Sequence, residues 1–194
     1  MEKNLIQKQS LIKRVVICGP ESTGKSTMVK NLSIYFKTNY VDEFARDFLQ
    51  KKWNKSRQRC TKKDLIEIAK GQIELENSKL KDSNKIIFCD TNILTTIAWS
   101  KTHYDGFCDP WLISQLENLR YDYYLILNTD VAWVRDDLRD RPDDRQKMFS
   151  AHKYELDFFK VNYDIIKGSN FNSRLKQSIE TIKKVLIDIS GSNN

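Results

Sequence analysis

The chain has 194 residues, 40% of them hydrophobic and 30% charged, with a formal net charge of +7. That length suits one domain, and that balance excludes a disordered chain. No apolar run approaches the ~20 residues that span a bilayer, and residues 1–14 are too polar for a secretory leader, so the expectation is one cytoplasmic domain over 1–194 without membrane association.

Residues 1–12 read as a polar extension. The run from Arg14 to Cys18 is apolar and bounded by Gly19, the pattern of a strand buried on both faces. Helical spacing of Met28, Leu32, Tyr35 and Phe36 predicts a helix over 25–36, and residues 40–42 read as a short second strand. A helix is predicted over 43–53, with Phe44, Phe48 and Leu49 on one face. A longer one is predicted over 61–81, with Thr61 as N-cap and Asp64 three positions on. Residues 85–90 form a third strand ending in an acid, 93–104 and 110–119 read as helices, and 123–127 as a fourth strand. A helix over 143–162, a weak strand over 164–167 stopped by Gly168, and a helix over 172–187 complete the chain, with 190–194 a frayed tail. Strands alternating with helices imply right-handed βαβ units, hence an α/β fold with a central parallel sheet of about five strands and helices on both faces. In such sheets ligands bind beyond the carboxyl ends of the strands, where Gly19, Asp42, Glu43, Asp90 and the segment 128–130 fall.

Gly19-Pro-Glu-Ser-Thr-Gly24-Lys25-Ser26 matches G-x-x-x-x-G-K-[ST], with a strand before it and a helix after it. The glycines let the backbone turn so that amide N–H groups face phosphate oxygens, and the helix N-terminus adds partial positive charge at the same place. The motif predicts a P-loop NTPase fold that binds ATP and Mg²⁺. The nucleotide-binding candidates are Gly19, Glu21, Ser22, Thr23, Gly24, Lys25, Ser26 and Thr27, with Lys25 on the β- and γ-phosphates and the Ser26 hydroxyl on the metal.

Asp90 ends the third strand, where a carboxylate can bind Mg²⁺ or take the proton of an attacking hydroxyl; the plainer alternative is a strand acid capping the next helix. Glu43 and Arg46 stand i,i+3 beyond the second strand, either as a solvated surface pair that could include Asp42 or as a clamp on substrate. Residues 135–147 read as an Arg-rich lid. Arg139, Arg141 and Arg145 fall within seven positions, Pro142 interrupts any helix, and planar guanidinium forks suit a transferring phosphoryl group. Five interleaved aspartates leave a salt-bridged surface loop as the alternative. Trp99, Trp111 and Trp133 could each stack on a planar ring, Trp133 foremost because it follows the fourth strand.

Cys18 and Cys89 lie within apolar strands, and no cysteine–histidine spacing suits zinc. The excess lysine and arginine is spread along the chain, densest over 51–63, without an RNP, zinc-finger or helix-turn-helix signature, which argues against nucleic acid as the main ligand.

Gly19 to Thr27, Asp42-Glu43-Phe-Ala-Arg46-Asp47, Asp90-Thr91-Asn92 with Thr95-Thr96, Asp130-Val-Ala-Trp133-Val with Asp137-Leu-Arg139, and finally Arg174 form an ordered set of blocks. Together they resemble the ribosylnicotinamide kinase domain of NadR-type proteins, from about Lys13 to Leu186. The resemblance implies phosphorylation of the ribose 5′-hydroxyl of nicotinamide riboside to the mononucleotide. It implies that Glu43, Arg46 and Asp90 face the nucleoside and that 139–145 is the lid; Asn92 departs from the family pattern, since relatives often carry an acid there, and the departure bears on sugar or metal contacts. Because no H-x-G-H type adenylyltransferase motif occurs in the sequence, the expectation is a chain without dinucleotide synthesis and without an N-terminal DNA-binding module.

These readings assign catalysis to Lys25, Asp90, Arg139 and Arg145, and ATP contacts to the P-loop and Arg141. Substrate contacts fall to Glu43, Arg46, Asn92 and Trp133, and metal ligation to Ser26 and Asp90. The base is Asp90 or Glu43, with Asp90 favoured. Alternatives are a kinase for another nucleoside or small hydroxylated metabolite, a polynucleotide 5′-kinase, and an ATP-binding regulator; oligomeric state is left open.

Overall fold

The strand that feeds the P-loop lies in the middle of the sheet. In the computed structural model, which describes residues 6–139 and 142–191, β1 (Lys13–Cys18) pairs in parallel with β3 (Ile86–Asp90) on one side and β4 (Tyr123–Leu127) on the other. The outer strands are β2 (Tyr40–Val41) and β5 (Tyr163–Ile166), giving the order β2-β3-β1-β4-β5, parallel throughout. The chain winds outward from β1 to β2, returns to β3 and crosses to β4, so the order reverses beside β1. That reversal opens a crevice at the strands' carboxyl ends, where ligands of open α/β sheets bind.

Alternate residues of β1 serve opposite faces, as pleating requires. Val15 and Ile17 pack with Met28, Val29 and Leu32 of α1 (Lys25–Phe36) and Ile182 of α7 (Phe171–Gly191). Val16 and Cys18 pack with Leu94 of α4 (Ile93–His103) and with Phe149 and Leu156 of α6 (Arg145–Phe158). A third cluster joins Leu65, Ala69 and Ile73 of α3 (Asp64–Lys79) to Ile93 and Ile97 of α4 and Leu112 of α5 (Pro110–Gln115). With α2 (Phe44–Ser56), α3 and α4 enclose space beyond the end of β2.

Several predicted boundaries move for local reasons. The helix predicted over 143–162 ends at Phe158, because Lys160 takes a left-handed conformation and the Val161 amide turns back to the Leu156 carbonyl at 3.1 Å. β5 lies one residue earlier than predicted, since the Lys167 amide donates to the Gln177 side chain instead of the ladder. The helix predicted to 119 breaks after Gln115 into a 3-10 turn, Leu116–Asn118. Thr61 does not accept as an N-cap: its hydroxyl and its amide both donate to the Asp64 carboxylate, at 2.7 and 2.6 Å.

Residues 6–12 are tied down at the end of the sheet away from the P-loop. The Asn77 side chain bonds the Ile6 carbonyl at 2.7 Å and the Lys8 amide at 2.8 Å, while Gln7 accepts from the Arg120 amide at 2.8 Å. Beneath them Glu76 is buried and accepts the Tyr121 hydroxyl at 3.0 Å; burial pushes its carboxyl up to about 7. Among the described residues no helix is long and apolar enough to cross a membrane.

Candidate active site

The loop after β1 forms because residues 19 and 24 are glycine. Gly19 has φ 130°, and a Cβ there would stand 2.6 Å from the Leu127 carbonyl oxygen, so this strand end approaches β4 closer than any side chain permits. Gly24 caps α1 in a left-handed conformation, with no side chain bonded to the helix end and no acid in the first turn. The first amides of α1 are left for a ligand, and an anion is what they and the helix dipole attract. The Thr23 hydroxyl closes the loop onto the Pro20 carbonyl at 2.8 Å. Lys25 Nζ donates to the Gly19 and Pro20 carbonyls at 3.0 and 2.9 Å, which keeps the ammonium over the loop.

Asp90 is the last residue of β3, in register with Ile17 of β1, and is 1% exposed. Its Oδ1 is buried without a partner. Burial raises its carboxyl to about 7, with Glu43 adding to the rise, while Lys25 and a hydrogen bond with Ser26 oppose it. An orphaned carboxylate oxygen beside the Ser26 hydroxyl, under a phosphate-binding loop, fits Mg²⁺, which takes one or two protein oxygens and completes its shell with water and substrate phosphate. No group of three or more His, Cys, Asp or Glu placed to hold a metal occurs among the described residues.

One cavity of about 530 Å³ joins this loop to a chamber between α2, α3 and α4. At one end its walls are Gly19 to Thr27; at the other they include Trp53, Leu65, Ile68, Trp99 and Tyr104. The Trp99 ring is stacked on His103, centroids 3.8 Å apart, and the Tyr104 hydroxyl donates to the Cys60 carbonyl at 2.8 Å, closing the chamber. Glu43 and Arg46 stand on the wall between the two ends. The turn that presents Glu43 is fixed by Gln72, a buried residue of α3, whose side-chain oxygen accepts the Phe44 amide at 2.9 Å. Gly71 beside it leaves room for the Phe44 ring, which any side chain there would strike.

The predicted site residues separate into those that face the cavity and those that support it. The P-loop residues Gly19 to Thr27, Glu43, Arg46 and Arg139 line it; Asp90 lies behind the wall, so of the two acids only Glu43 opens into the cavity. Arg46 pairs with neither Glu43 nor Asp42. Its Nη2 donates to Asp136 at 2.7 Å, across the cavity mouth. Arg139 forms an ion pair with the same carboxylate, Nε at 3.0 Å, and donates through Nη1 to the Val134 carbonyl at 2.8 Å. Arg145 does not line the cavity; it ties the segment after β4 to the P-loop by donating to the Val131 carbonyl at 2.8 Å and the Ser22 carbonyl at 3.3 Å. The Ser22 hydroxyl strengthens that tie by accepting the Val134 amide at 2.7 Å. Arg141 lies outside the described residues. Arg174, from the last block of the resemblance, is 2% exposed and donates to the Asn128 carbonyl at 3.5 Å.

Two substrate assignments are corrected. Asn92 is a buried helix cap outside the cavity lining: its side-chain oxygen accepts the Thr95 amide at 3.2 Å and its nitrogen donates to the Tyr124 hydroxyl at 2.8 Å. Trp133 stays outside the cavity, with its ring 5.9 Å from the Arg145 guanidinium carbon. The aromatic walls are Trp53, Trp99 and Tyr104 instead, of which only Trp99 had been a sequence candidate. His152 is a further wall residue, buried, with Nδ1 donating to the Met148 carbonyl at 2.8 Å; burial pushes its pKa down to about 4, so it is neutral.

Comparison with known proteins agrees with this geometry. The trifunctional NAD biosynthesis/regulator protein NadR of Salmonella typhimurium is 27% identical over 181 residues, covering 92% of this chain and 44% of the relative. The chain thus spans less than half the length of that protein. A solved structure of NadR protein in complex with NR superposes with TM-score 0.76 at 17% identity, covering 90% of this chain and 51% of that one; another, in complex with NAD and AMP-PNP, gives 0.71. Thymidylate kinase from Ehrlichia chaffeensis shares the fold with TM-score 0.62 at 14% identity, covering 88% of this chain and 98% of that one. Residues 14–174 match the AAA domain family AAA_28, and the chain belongs to that family.

Proposed function

We propose that this chain is an ATP-dependent kinase that phosphorylates the ribose 5′-hydroxyl of nicotinamide riboside. The observation that carries the reading is the single cavity with a phosphate cradle at one end and an aromatic chamber at the other. A nucleoside spans such a space with its base among Trp53, Trp99 and Tyr104 and its primary hydroxyl toward the P-loop. Aromatic faces suit a pyridinium ring, which is cationic. The similarity to NadR, one structure of which holds NR, supports the same substrate.

In this reading the P-loop amides and Lys25 hold the nucleotide's phosphates, and Ser26 with Asp90 holds Mg²⁺. When bound, that ion neutralises charge on the phosphate oxygens. Glu43 orients the hydroxyl and accepts its proton, because of the two candidate bases, Glu43 and Asp90, it is the one that lines the cavity. Asp90, preferred as base on its sequence position, is sealed behind the wall and takes the metal-side role. Lys25 and Arg139 stabilise the transferring phosphoryl group, and residues 135–147 act as its lid. Catalysis is then mainly positioning and electrostatics. The reading places the enzyme in the cytoplasm, where ATP and the nucleoside meet.

The test is ADP release from the purified chain with MgATP, comparing nicotinamide riboside with adenosine, uridine and a short 5′-hydroxyl oligonucleotide. Stimulation by nicotinamide riboside above the others is expected. Stimulation by a comparator reassigns the acceptor, and stimulation by none replaces the kinase with an ATP-binding regulator.

A further inference from the structure

Asp136 stands outside the cavity, yet two of the cavity's arginines end on it. Its Oδ2 accepts a hydrogen bond from Arg46 Nη2 at 2.7 Å and forms an ion pair with Arg139 Nε at 3.0 Å. Its Oδ1 accepts the amides of Leu138 and Arg139 at 3.0 and 3.1 Å, which fixes the carboxylate against its own loop. Arg46 comes from α2, the helix that also supplies Trp53 to the aromatic chamber. Arg139 comes from the segment after β4 and lies within electrostatic reach of Glu21 in the P-loop. All three side chains are partly buried, at 39% exposure for Arg46, 26% for Arg139 and 24% for Asp136, so water screens the contact incompletely.

We infer that Asp136 is a positioning residue that joins Arg46 and Arg139 into one unit, so that a change at the nucleoside end of the cavity alters the arginine at the phosphate end. The physical reason is that one carboxylate oxygen serves two guanidinium groups. What one arginine stops drawing from that oxygen becomes available to the other. With Arg46 removed, the whole charge of Asp136 rests on Arg139 and draws it away from a phosphate. A nucleoside that engages Arg46 alters the same balance. The inference rests on the kinase reading only for the names of the two ends; the coupling is read on nucleotide binding, which needs no acceptor.

The experiment is calorimetric titration of the full chain with a non-hydrolysable ATP analogue and Mg²⁺, for the wild type, Arg46→Ala, Asp136→Asn and the double variant. Arg46→Ala is expected to weaken analogue binding roughly fivefold in the wild-type background and less than about twofold in the D136N background, as contacting residues on one network are non-additive. Asparagine retains an acceptor for the two loop amides, so the thermal midpoint, read by circular dichroism, should stay close to wild type. Arg139→Ala supplies a second cycle independent of how Asp136→Asn folds: Arg46→Ala must lose its effect there too. An Arg46 effect of equal size in all backgrounds, or no effect in the wild type, overturns the inference. Nicotinamide riboside turnover on the same proteins separates the two readings. A wild type inactive toward that nucleoside discards the substrate assignment while the analogue cycle still decides the role of Asp136, and an active one predicts a raised KM for the nucleoside in D136N.

Discussion

Gly19 and Leu127 touch backbone to backbone: a Cβ on Gly19 would lie 2.6 Å from the Leu127 carbonyl oxygen. The P-loop is therefore seated on β4 as well as on its own strand. Gly19→Ala should lower the denaturant midpoint and the ATP affinity together, with a stability loss of about 2 kcal/mol or more from the clash and the strained φ. Urea unfolding and nucleotide titration of the same variant check this; a stable variant with full affinity would contradict the described approach.

Lys25→Ala removes the ammonium held over the loop by the Gly19 and Pro20 carbonyls. Its side chain is not part of the core, so circular dichroism should be unchanged while kcat falls by roughly a hundredfold or more. Retained turnover would remove the P-loop from the chemistry.

Trp99→Ala opens the aromatic chamber without touching the phosphate cradle. KM for the nucleoside should rise by about tenfold, the value of a ring face to a cation, with nucleotide affinity unaltered. Steady-state kinetics with each substrate varied in turn distinguishes this from a general loss. Trp133→Ala, outside the cavity, should leave nucleoside KM near wild type.

Glu43→Gln and Asp90→Asn separate the two acids. Glu43→Gln should lower kcat by roughly a hundredfold with nucleotide binding retained, as loss of a general base does. Asp90→Asn should act through Mg²⁺, with activity partly restored by raising the metal concentration. A magnesium titration of both variants decides which acid does which.

Glu76 gives a pH dependence of stability away from the active site. Its folded carboxyl is raised to about 7 by burial, above its ordinary 4.5. Below about 4.5 the group is protonated in both states and costs nothing. Between 4.5 and 7 the unfolded chain ionises first, so stability falls as pH rises through this window. Glu76→Gln should flatten that fall, by on the order of 1 kcal/mol between pH 5 and pH 8. Urea midpoints at the two pH values measure it.

The parts of the site that sequence exposes are those bound to backbone geometry. A glycine-rich turn between an apolar run and a helix has one common use, so Gly19 to Thr27 could be placed from spacing alone. Asp90 followed from its strand end. Tertiary partners were hidden: nothing in local sequence says that Arg46 reaches Asp136, ninety residues on, instead of Glu43 three residues back. Asn92 was misread because a capping asparagine and a ligand-binding one look alike until Thr95 and Tyr124 occupy its side chain. Trp53 and Tyr104 stand at the ends of two predicted helices with no local pattern to mark them, and only the packing of α2, α3 and α4 turns them toward one space. Gly71, inside a helix where glycine costs about 1 kcal/mol relative to alanine, was the one local sign of that packing, since it leaves room for Phe44.

The parallel order β2-β3-β1-β4-β5 also governs how the chain must be made. No two neighbouring strands are joined by a tight turn, and Lys13 of β1 waits for Ile86 before its first ladder partner exists. As the chain emerges from the ribosome, the apolar stretch Val15 to Cys18 is synthesised early and stays uncommitted while three α-helices and a strand are added. Pairings so distant in sequence close slowly and leave sticky intermediates. The same run that aims the P-loop thus stays unpaired through much of translation, and slowing elongation before β3 should increase aggregation of the nascent chain.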